Sequence, residues 1–155
     1  MIKFASNPNA NEGSSRLVYR RDELSFDVEP LPSGCHACVV INEVQMHFNE
    51  RNRVLCVTGY CPYHGWKKTQ ETPPLYTNGI LVVTSPQNTP NGVGIGITAS
   101  LGKRWPVYVN KEGWVCVGVP EERGEKVIEF APSSVAVLKG DTLVALWLHP
   151  FSLPV

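Results

Sequence analysis

The sequence predicts an all-β fold, built as a single-domain antiparallel β-barrel or a two-sheet sandwich of about ten short strands with little helix. Two observations lead to this prediction. The chain contains 13 glycines and 13 prolines, which recur at short intervals and mark turns. The segments between these turns favour β-branched and aromatic residues. Strands of this kind must close up or stack in order to bury their apolar sides.

Length and charge limit the class of protein. The chain has 155 residues, the size of one domain, and 43% of them are hydrophobic. This composition excludes disorder of the whole chain. Fourteen basic residues balance fourteen acidic ones, which argues against a protein that mainly grips phosphate backbones. We therefore expect one β domain over residues 1–155.

Eleven strands are expected in order along the chain. Two strong hairpin signals join neighbouring strands, a loop at residues 110–113 and a loop at residues 139–141, each containing glycine. Pro120 opens at most a single helical turn. The expected strands are Leu17–Arg20, Leu24–Val28, Ala37–Phe48, Arg53–Tyr60, Gly79–Ser85, Val93–Ala99, Arg104–Asn110, Trp114–Gly118, Lys126–Phe130, Val135–Leu138 and Thr142–Leu148.

The N-terminal segment differs from the rest. Residues 6–15 carry no large apolar side chain, so residues 5–15 are expected to form a mobile N-terminal arm or loop. The first residues lack the apolar core of a signal peptide, and no apolar run approaches the ~18 residues of a membrane helix. We expect a soluble cytoplasmic protein without membrane contacts, and the oligomeric state stays open.

One constellation carries the residue types of a metal site. Cys35 and Cys38 form a C-x2-C pair, and Cys61 and His64 form a C-x2-H pair 22 residues later. The intervening strands can form a hairpin whose loop is residues 49–52. Met46 then lies opposite Val54 or Cys56, and the same register sets Cys38 opposite Pro62 or His64. Both pairs would meet at the open end of the hairpin.

Three thiolates and one imidazole suit zinc, and four protein ligands suit a structural rather than a catalytic ion. Two other interpretations stay open, namely buried cysteines beside a surface histidine, and a reactive thiol or transient disulfide. The run Cys61–Trp66, CPYHGW, resembles the second box of the Rieske iron–sulfur proteins, which implies a [2Fe–2S] cluster. Those proteins also need an earlier C-x-H box, and here Ala37 stands where its histidine would be.

Weaker motifs bear on function. The alternating glycines of residues 92–99 indicate a strand rather than a dinucleotide loop. Two small basic clusters, Lys67-Lys68 beside Trp66 and Lys103-Arg104 beside Trp105, have the residue types of base-stacking surfaces, but on a neutral chain they are typical of solvated loops beside half-buried tryptophans. The sequence contains no G-x-S-x-G elbow and no H-E-x-x-H motif.

The absence of an acid–base constellation favours a non-enzymatic role. We expect a small β-rich binding protein for an unknown small molecule or protein partner, with zinc as its candidate metal and no other cofactor. One alternative is an enzyme that pairs Cys61 or Cys38 with His64 or His36. The least favoured alternative is a single-strand nucleic-acid binder.

Overall fold

The computed structural model describes residues 1–10, 13–97 and 103–151. Fifteen strands and one short 3-10 helix, Tyr63–Gly65, lie within these ranges. No helix among them is long and apolar enough to cross a membrane. The strands are β1 Lys3–Asn7, β2 Arg16–Arg20, β3 Ser25–Glu29, β4 Ala37–Ile41, β5 Val44–Phe48, β6 Val54–Tyr60, β7 Lys67–Lys68, β8 Thr77–Asn78, β9 Ile80–Ser85, β10 Gly94–Ile97, β11 Val107–Val109, β12 Val115–Gly118, β13 Lys126–Ala131, β14 Ser134–Lys139 and β15 Thr142–Leu148.

Two large sheets form a sandwich. One has six strands in the order β10-β4-β5-β6-β3-β2, and the other has seven in the order β7-β11-β12-β15-β14-β13-β8. Neither order returns to its starting strand within the described residues, so the sheets stack rather than close. A separate pair, β1 and β9, adds Phe4 and Leu81 to the core. The predicted all-β sandwich with little helix is confirmed.

The main core lies between the two sheets because their strands alternate inward apolar residues with outward ones. Val39, Met46 and Phe48 of the six-stranded sheet are fully buried. Val115, Val117 and Leu146 of the other sheet belong to the same apolar cluster. Most strand pairings are antiparallel, as predicted. Three pairings of short strands are parallel, namely β10 with β4, β11 with β7 and β13 with β8.

The seven-stranded sheet has a second apolar cluster on its opposite face. Its fully buried members are Cys116, Val135, Val137, Ala145 and Trp147. Residues 69–76, which we call the strap, connect β7 at one edge of this sheet to β8 at the other. Tyr76 of the strap packs edge-on against Trp114, and Trp114 packs in the same way against the buried Trp147. The strap therefore lies over the second cluster.

The predicted strand Ala37–Phe48 is wrong as a single element. It is the hairpin of β4 and β5, reversed by a turn at Asn42 and Glu43. Asn42 has a φ of 55°, a left-handed conformation that asparagine tolerates. The turn contains neither glycine nor proline, but the buried positions change there from odd (residues 37, 39 and 41) to even (residues 44, 46 and 48), and this change of phase is the sequence signal for the reversal.

The predicted N-terminal arm, residues 5–15, overlaps a strand. Residues 5–7 belong to β1 and pair with Val82, Leu81 and Ile80 of β9, so they form neither an arm nor a loop. Their backbone pairing requires no large apolar side chains, which is why composition misses it. Ser15 is buried, and its hydroxyl donates to the Pro30 carbonyl oxygen at 2.5 Å. Residues 11 and 12 lie outside the described residues, as do residues 98 and 99 of the predicted strand Val93–Ala99.

We predict that Gly59→Ala destabilises the fold by about 2–4 kcal/mol. Gly59 has a φ of 122°, and a Cβ there would overlap the carbonyl oxygen of Glu43 in the neighbouring turn. Urea denaturation measures the change. Gly96→Ala is the matched control, because a Cβ at Gly96 meets no atom within 4 Å. It should change stability by less than about 1 kcal/mol. Equal losses in the two variants would contradict the prediction.

Candidate functional site

The two cysteine-containing pairs do not meet in the way the sequence predicts. Cys38 lies opposite His47, and His47 lies opposite Cys56. Cys61 follows the end of β6, five residues beyond Cys56, which is roughly 16 Å along a strand. The predicted register of Cys38 opposite Pro62 or His64 is therefore wrong. The register differs because the turn at Asn42 folds β4 back along β5, and this places Cys38 opposite His47.

Each predicted zinc ligand has other neighbours. The Cys35 thiol donates to the Pro32 carbonyl oxygen at 3.6 Å, and the ring of His64 stacks on Tyr63 with centroids 4.2 Å apart. In residues 1–10, 13–97 and 103–151, no group of three or more histidine, cysteine, aspartate or glutamate side chains is placed to hold a metal ion. The register that supports a zinc site at Cys35, Cys38, Cys61 and His64 is lost, and zinc content stays a prediction that metal analysis tests.

The CPYHGW segment forms a turn held by aromatic residues. The Tyr19 hydroxyl donates to the Cys61 carbonyl oxygen at 2.8 Å and accepts from the Tyr63 backbone N–H at 3.2 Å. The Trp66 Nε1–H donates to the Cys61 sulfur at 3.4 Å. Burial raises the pKa of the Cys61 thiol to about 11, although the Trp66 hydrogen bond acts in the opposite direction. These contacts give Cys61 a structural position.

Beside this turn is a cavity of about 250 Å³, which we call the cleft. It opens where the β4–β5 turn and the end of β6 approach β7 and β11, so both large sheets contribute to it. Three of its twelve lining residues are aromatic, two are prolines and three are charged. The lining residues are Asn42, Glu43, Tyr60, Cys61, Pro62, Gly65, Trp66, Lys67, Arg104, Trp105, Pro106 and Val107.

The cleft brings together one basic–aromatic pair from each of the two basic clusters, Trp66-Lys67 and Arg104-Trp105. They are far apart in sequence, and the sequence interpretation treats them as separate solvated loops beside half-buried tryptophans. Trp66 is half-buried, as expected, whereas Trp105 is only 8% exposed. The convergence depends on the pairing of β7 with β11, in which Lys67 lies opposite Tyr108.

Two contacts hold one side of the cleft. The Arg104 guanidinium donates to both Glu43 carboxylate oxygens at 2.8 Å, and it holds the pKa of that carboxyl below its usual value. The Asn42 amide donates to the Trp105 carbonyl oxygen at 2.9 Å, and its oxygen accepts the Trp105 backbone N–H at 3.0 Å. The β4–β5 turn is thereby joined to the chain segment that leads into β11.

Two residues that line the cleft carry donors that are not used in this way. Trp105 Nε1 is buried and donates to no acceptor in the described part of the chain. A buried donor without a partner carries a free-energy cost. Lys67 is exposed, and its Nζ lies 6.0 Å from the centroid of the Tyr108 ring. The cleft therefore suits a ligand that carries hydrogen-bond acceptors.

Burial raises the pKa of all five cysteine thiols. Burial raises the pKa of Cys35 and Cys38, and it raises the pKa of Cys56 to about 12. The same cause raises the pKa of Cys61 and Cys116. A raised pKa keeps a thiol protonated at neutral pH, and the thiolate is the nucleophilic form. His36, proposed as a partner of these thiols, instead contacts the Thr89 carbonyl oxygen through Nε2 at 2.7 Å.

No family model, curated protein or solved structure matches this chain. Function is therefore inferred from the cleft itself. The sequence interpretation names Trp66, Lys67, Arg104 and Trp105 but misses Asn42 and Tyr60, which lie where β4 turns into β5 and where β6 ends. The left-handed preference of asparagine is the available signal for Asn42. The sequence carries no comparable signal for Tyr60.

We predict that Asn42→Gly lowers the free energy of unfolding by about 1–2 kcal/mol, because it removes both side-chain bonds to Trp105 and keeps the left-handed turn. Asn42→Ala should lower it by about 1 kcal/mol more, since alanine is strained at this φ. Chemical denaturation of both variants separates the two effects. If the glycine and alanine variants were equally stable, the loss that we assign to alanine strain in the left-handed conformation would be contradicted.

We predict that iodoacetamide at neutral pH labels all five cysteines slowly in the native protein, because burial raises the pKa of every thiol. The half-buried Cys35 and Cys38 should react before the buried Cys56, Cys61 and Cys116. Mass spectrometry of digested samples gives the order, with protein in guanidinium chloride as the fully reactive control. Rapid labelling of native Cys61 would show a reactive thiolate and contradict the burial described above.

Proposed function

We propose that this chain is a non-catalytic binding protein whose ligand site is the cleft, and that the ligand is a small organic anion with an apolar body, such as an aromatic carboxylate. One observation carries the proposal. Two basic–aromatic pairs from distant parts of the sequence, Trp66-Lys67 and Arg104-Trp105, line a single cavity where the ends of β4, β5 and β6 approach β7 and β11.

The charges and donors of the cleft favour an anion. Arg104 and Glu43 neutralise each other through their two hydrogen bonds, so Lys67 supplies the net positive charge. Hydrogen bonds between a cationic donor and a carboxylate are shorter and stronger than neutral ones. The Lys67 ammonium suits the oxygens of a carboxylate.

The size and walls of the cleft favour a small apolar body. Ligand cavities usually have volumes of about 300–1,000 Å³, and the cleft, at about 250 Å³, lies just below this range. Tyr60, Pro62 and Pro106 supply apolar wall surface beside the two tryptophans. A single ring with one acidic group is a ligand of suitable size.

A single-strand nucleic-acid binder would also bring aromatic and basic residues together. The tryptophan rings of the cleft are, however, poorly placed to stack on bases. Base stacking needs an exposed ring face. Trp105 is 8% exposed. Trp66 already stacks on Phe26, with centroids 6.1 Å apart and planes at 14°. The small-anion proposal fits these rings better.

The enzyme alternative has less support. It requires a cysteine thiolate beside a histidine, and burial raises the pKa of each candidate thiol. All five cysteines are free thiols. Free thiols are compatible with the reducing cytoplasm expected from the sequence.

The test uses benzoate as the probe and benzamide as its neutral counterpart, followed through the indole N–H signals of 15N-labelled protein. Trp105→Phe identifies the Trp105 signal. Benzoate at up to about 10 mM should shift the Trp66 and Trp105 signals more than benzamide does, because the site favours a negative charge. Equal shifts with the two probes, or no shift at Trp105, would overturn the proposal.

Adjacent lysines provide a matched pair of variants. Lys67→Gln should weaken benzoate binding by about fivefold or more, because it removes the cation that supplies the net positive charge of the cleft. Lys68 lines a different cavity, so Lys68→Gln should leave binding within about twofold of the wild type. If both variants weakened benzoate binding equally, the attraction would be a general effect of charge, and the cleft would be rejected as the binding site. Tighter, salt-dependent binding of oligo(dT) through the same residues would favour the nucleic-acid alternative instead.

A further inference from the structure

The strap crosses the seven-stranded sheet in a nearly extended form. Six strand-to-strand spacings separate β7 from β8, and at about 4.8 Å each they span roughly 29 Å. Nine residue steps lead from Lys68 to Thr77, so the chain advances roughly 3.2 Å per residue. The rise of a polyproline II helix is about 3.1 Å per residue. Pro73 and Pro74 at its centre favour that conformation.

The strap is tied to the sheet at several points. The Thr69 backbone N–H donates to the Val109 carbonyl oxygen at 3.0 Å, and the Asn110 amide donates to the Glu71 carbonyl oxygen at 3.1 Å. Arg123 donates to the Thr72 carbonyl oxygen at 3.1 Å. These contacts all lie before Pro73. The segment from Pro73 to Tyr76 is therefore held on one side by the ties and on the other by β8.

The burial of Pro73–Tyr76 fits a polyproline II helix with one side on the sheet. This helix has three residues per turn, so Pro73 and Tyr76 share a side while Pro74 points elsewhere. Pro74 is buried and Pro73 is half-buried. Leu75 is 99% exposed and Tyr76 is 41% exposed, although the Tyr76 ring also touches Trp114. The proline and the tyrosine that share a side are both accessible in part.

We propose that the Pro-Pro-Leu-Tyr segment, Pro73–Tyr76, is a docking site for a WW-type domain of a partner protein. Such domains bind polyproline II ligands in grooves lined by aromatic side chains. A P-P-x-Y ligand presents its first proline and its tyrosine to two adjacent pockets, which are the two side chains that share a side here. A PxxP ligand of an SH3 domain would need a proline where Tyr76 stands.

The strap is a favourable ligand because the fold has already ordered it. A free peptide loses conformational entropy when it adopts polyproline II geometry in a groove, whereas a segment fixed at both ends loses less. Leu75 occupies the variable position of the motif and points to solvent. The strap shares no residue with the cleft, so this inference does not depend on the small-anion proposal.

The test measures binding of the full chain to a 15N-labelled WW domain of the class that binds P-P-x-Y peptides, by chemical-shift titration. We expect saturable binding through the aromatic groove of that domain. Pro73→Ala and Tyr76→Ala should each weaken binding by about tenfold or more, because each removes one anchor. Leu75→Ala is the control and should stay within about twofold. Circular dichroism and thermal melting verify that each variant is folded.

Three results would overturn the proposal. The first is no binding by the folded full chain while a peptide of residues 69–79 binds, which would show that the sheet withholds the motif. The second is an equal loss for Leu75→Ala and Pro73→Ala. The third is binding to an SH3 domain at the same affinity. Should Tyr76→Ala fail to fold, the comparison of Pro73→Ala with Leu75→Ala decides the question.

Discussion

The side-chain contact between Asn42 and the Trp105 backbone is the constraint on which the arrangement of the cleft depends. It joins the β4–β5 turn of one sheet to the segment that enters the other sheet. The ion pair of Arg104 with Glu43 lies beside it but is more exposed, and an exposed pair contributes little stability. The two Asn42 bonds are neutral and partly buried, so they hold the corner independently of salt concentration.

Much of the fold is predictable from the sequence because apolar alternation identifies strands that have one buried face. The two glycine-containing loops at 110–113 and 139–141 do join the antiparallel pairs β11–β12 and β14–β15. The strands missed are β1, β7 and β8. Strands of two residues have no periodicity to detect, and β1 pairs through a backbone whose side chains are mostly small and polar.

The candidate site is predictable only in part. Residue types alone mark Trp66-Lys67 and Arg104-Trp105 as basic–aromatic pairs, but their meeting depends on long-range strand order. The metal prediction fails at its register for a related reason. A single turn at Asn42 reverses the chain between Cys38 and Cys61, and no count of residues between the pairs can reveal a reversal. Spacing motifs are reliable only where the intervening segments are known.

The strap also connects the two edge strands of the seven-stranded sheet. Its two ends continue into β7 and β8, and these are the outermost strands of that sheet. Each has only two residues, and β7 consists of two exposed lysines. Very short, charged border strands offer a poor template for a strand of another molecule. The strap covers an apolar face, and the two strands at its ends protect the sheet against edge-to-edge aggregation, so a deletion of residues 67–78 would lose both forms of protection at once.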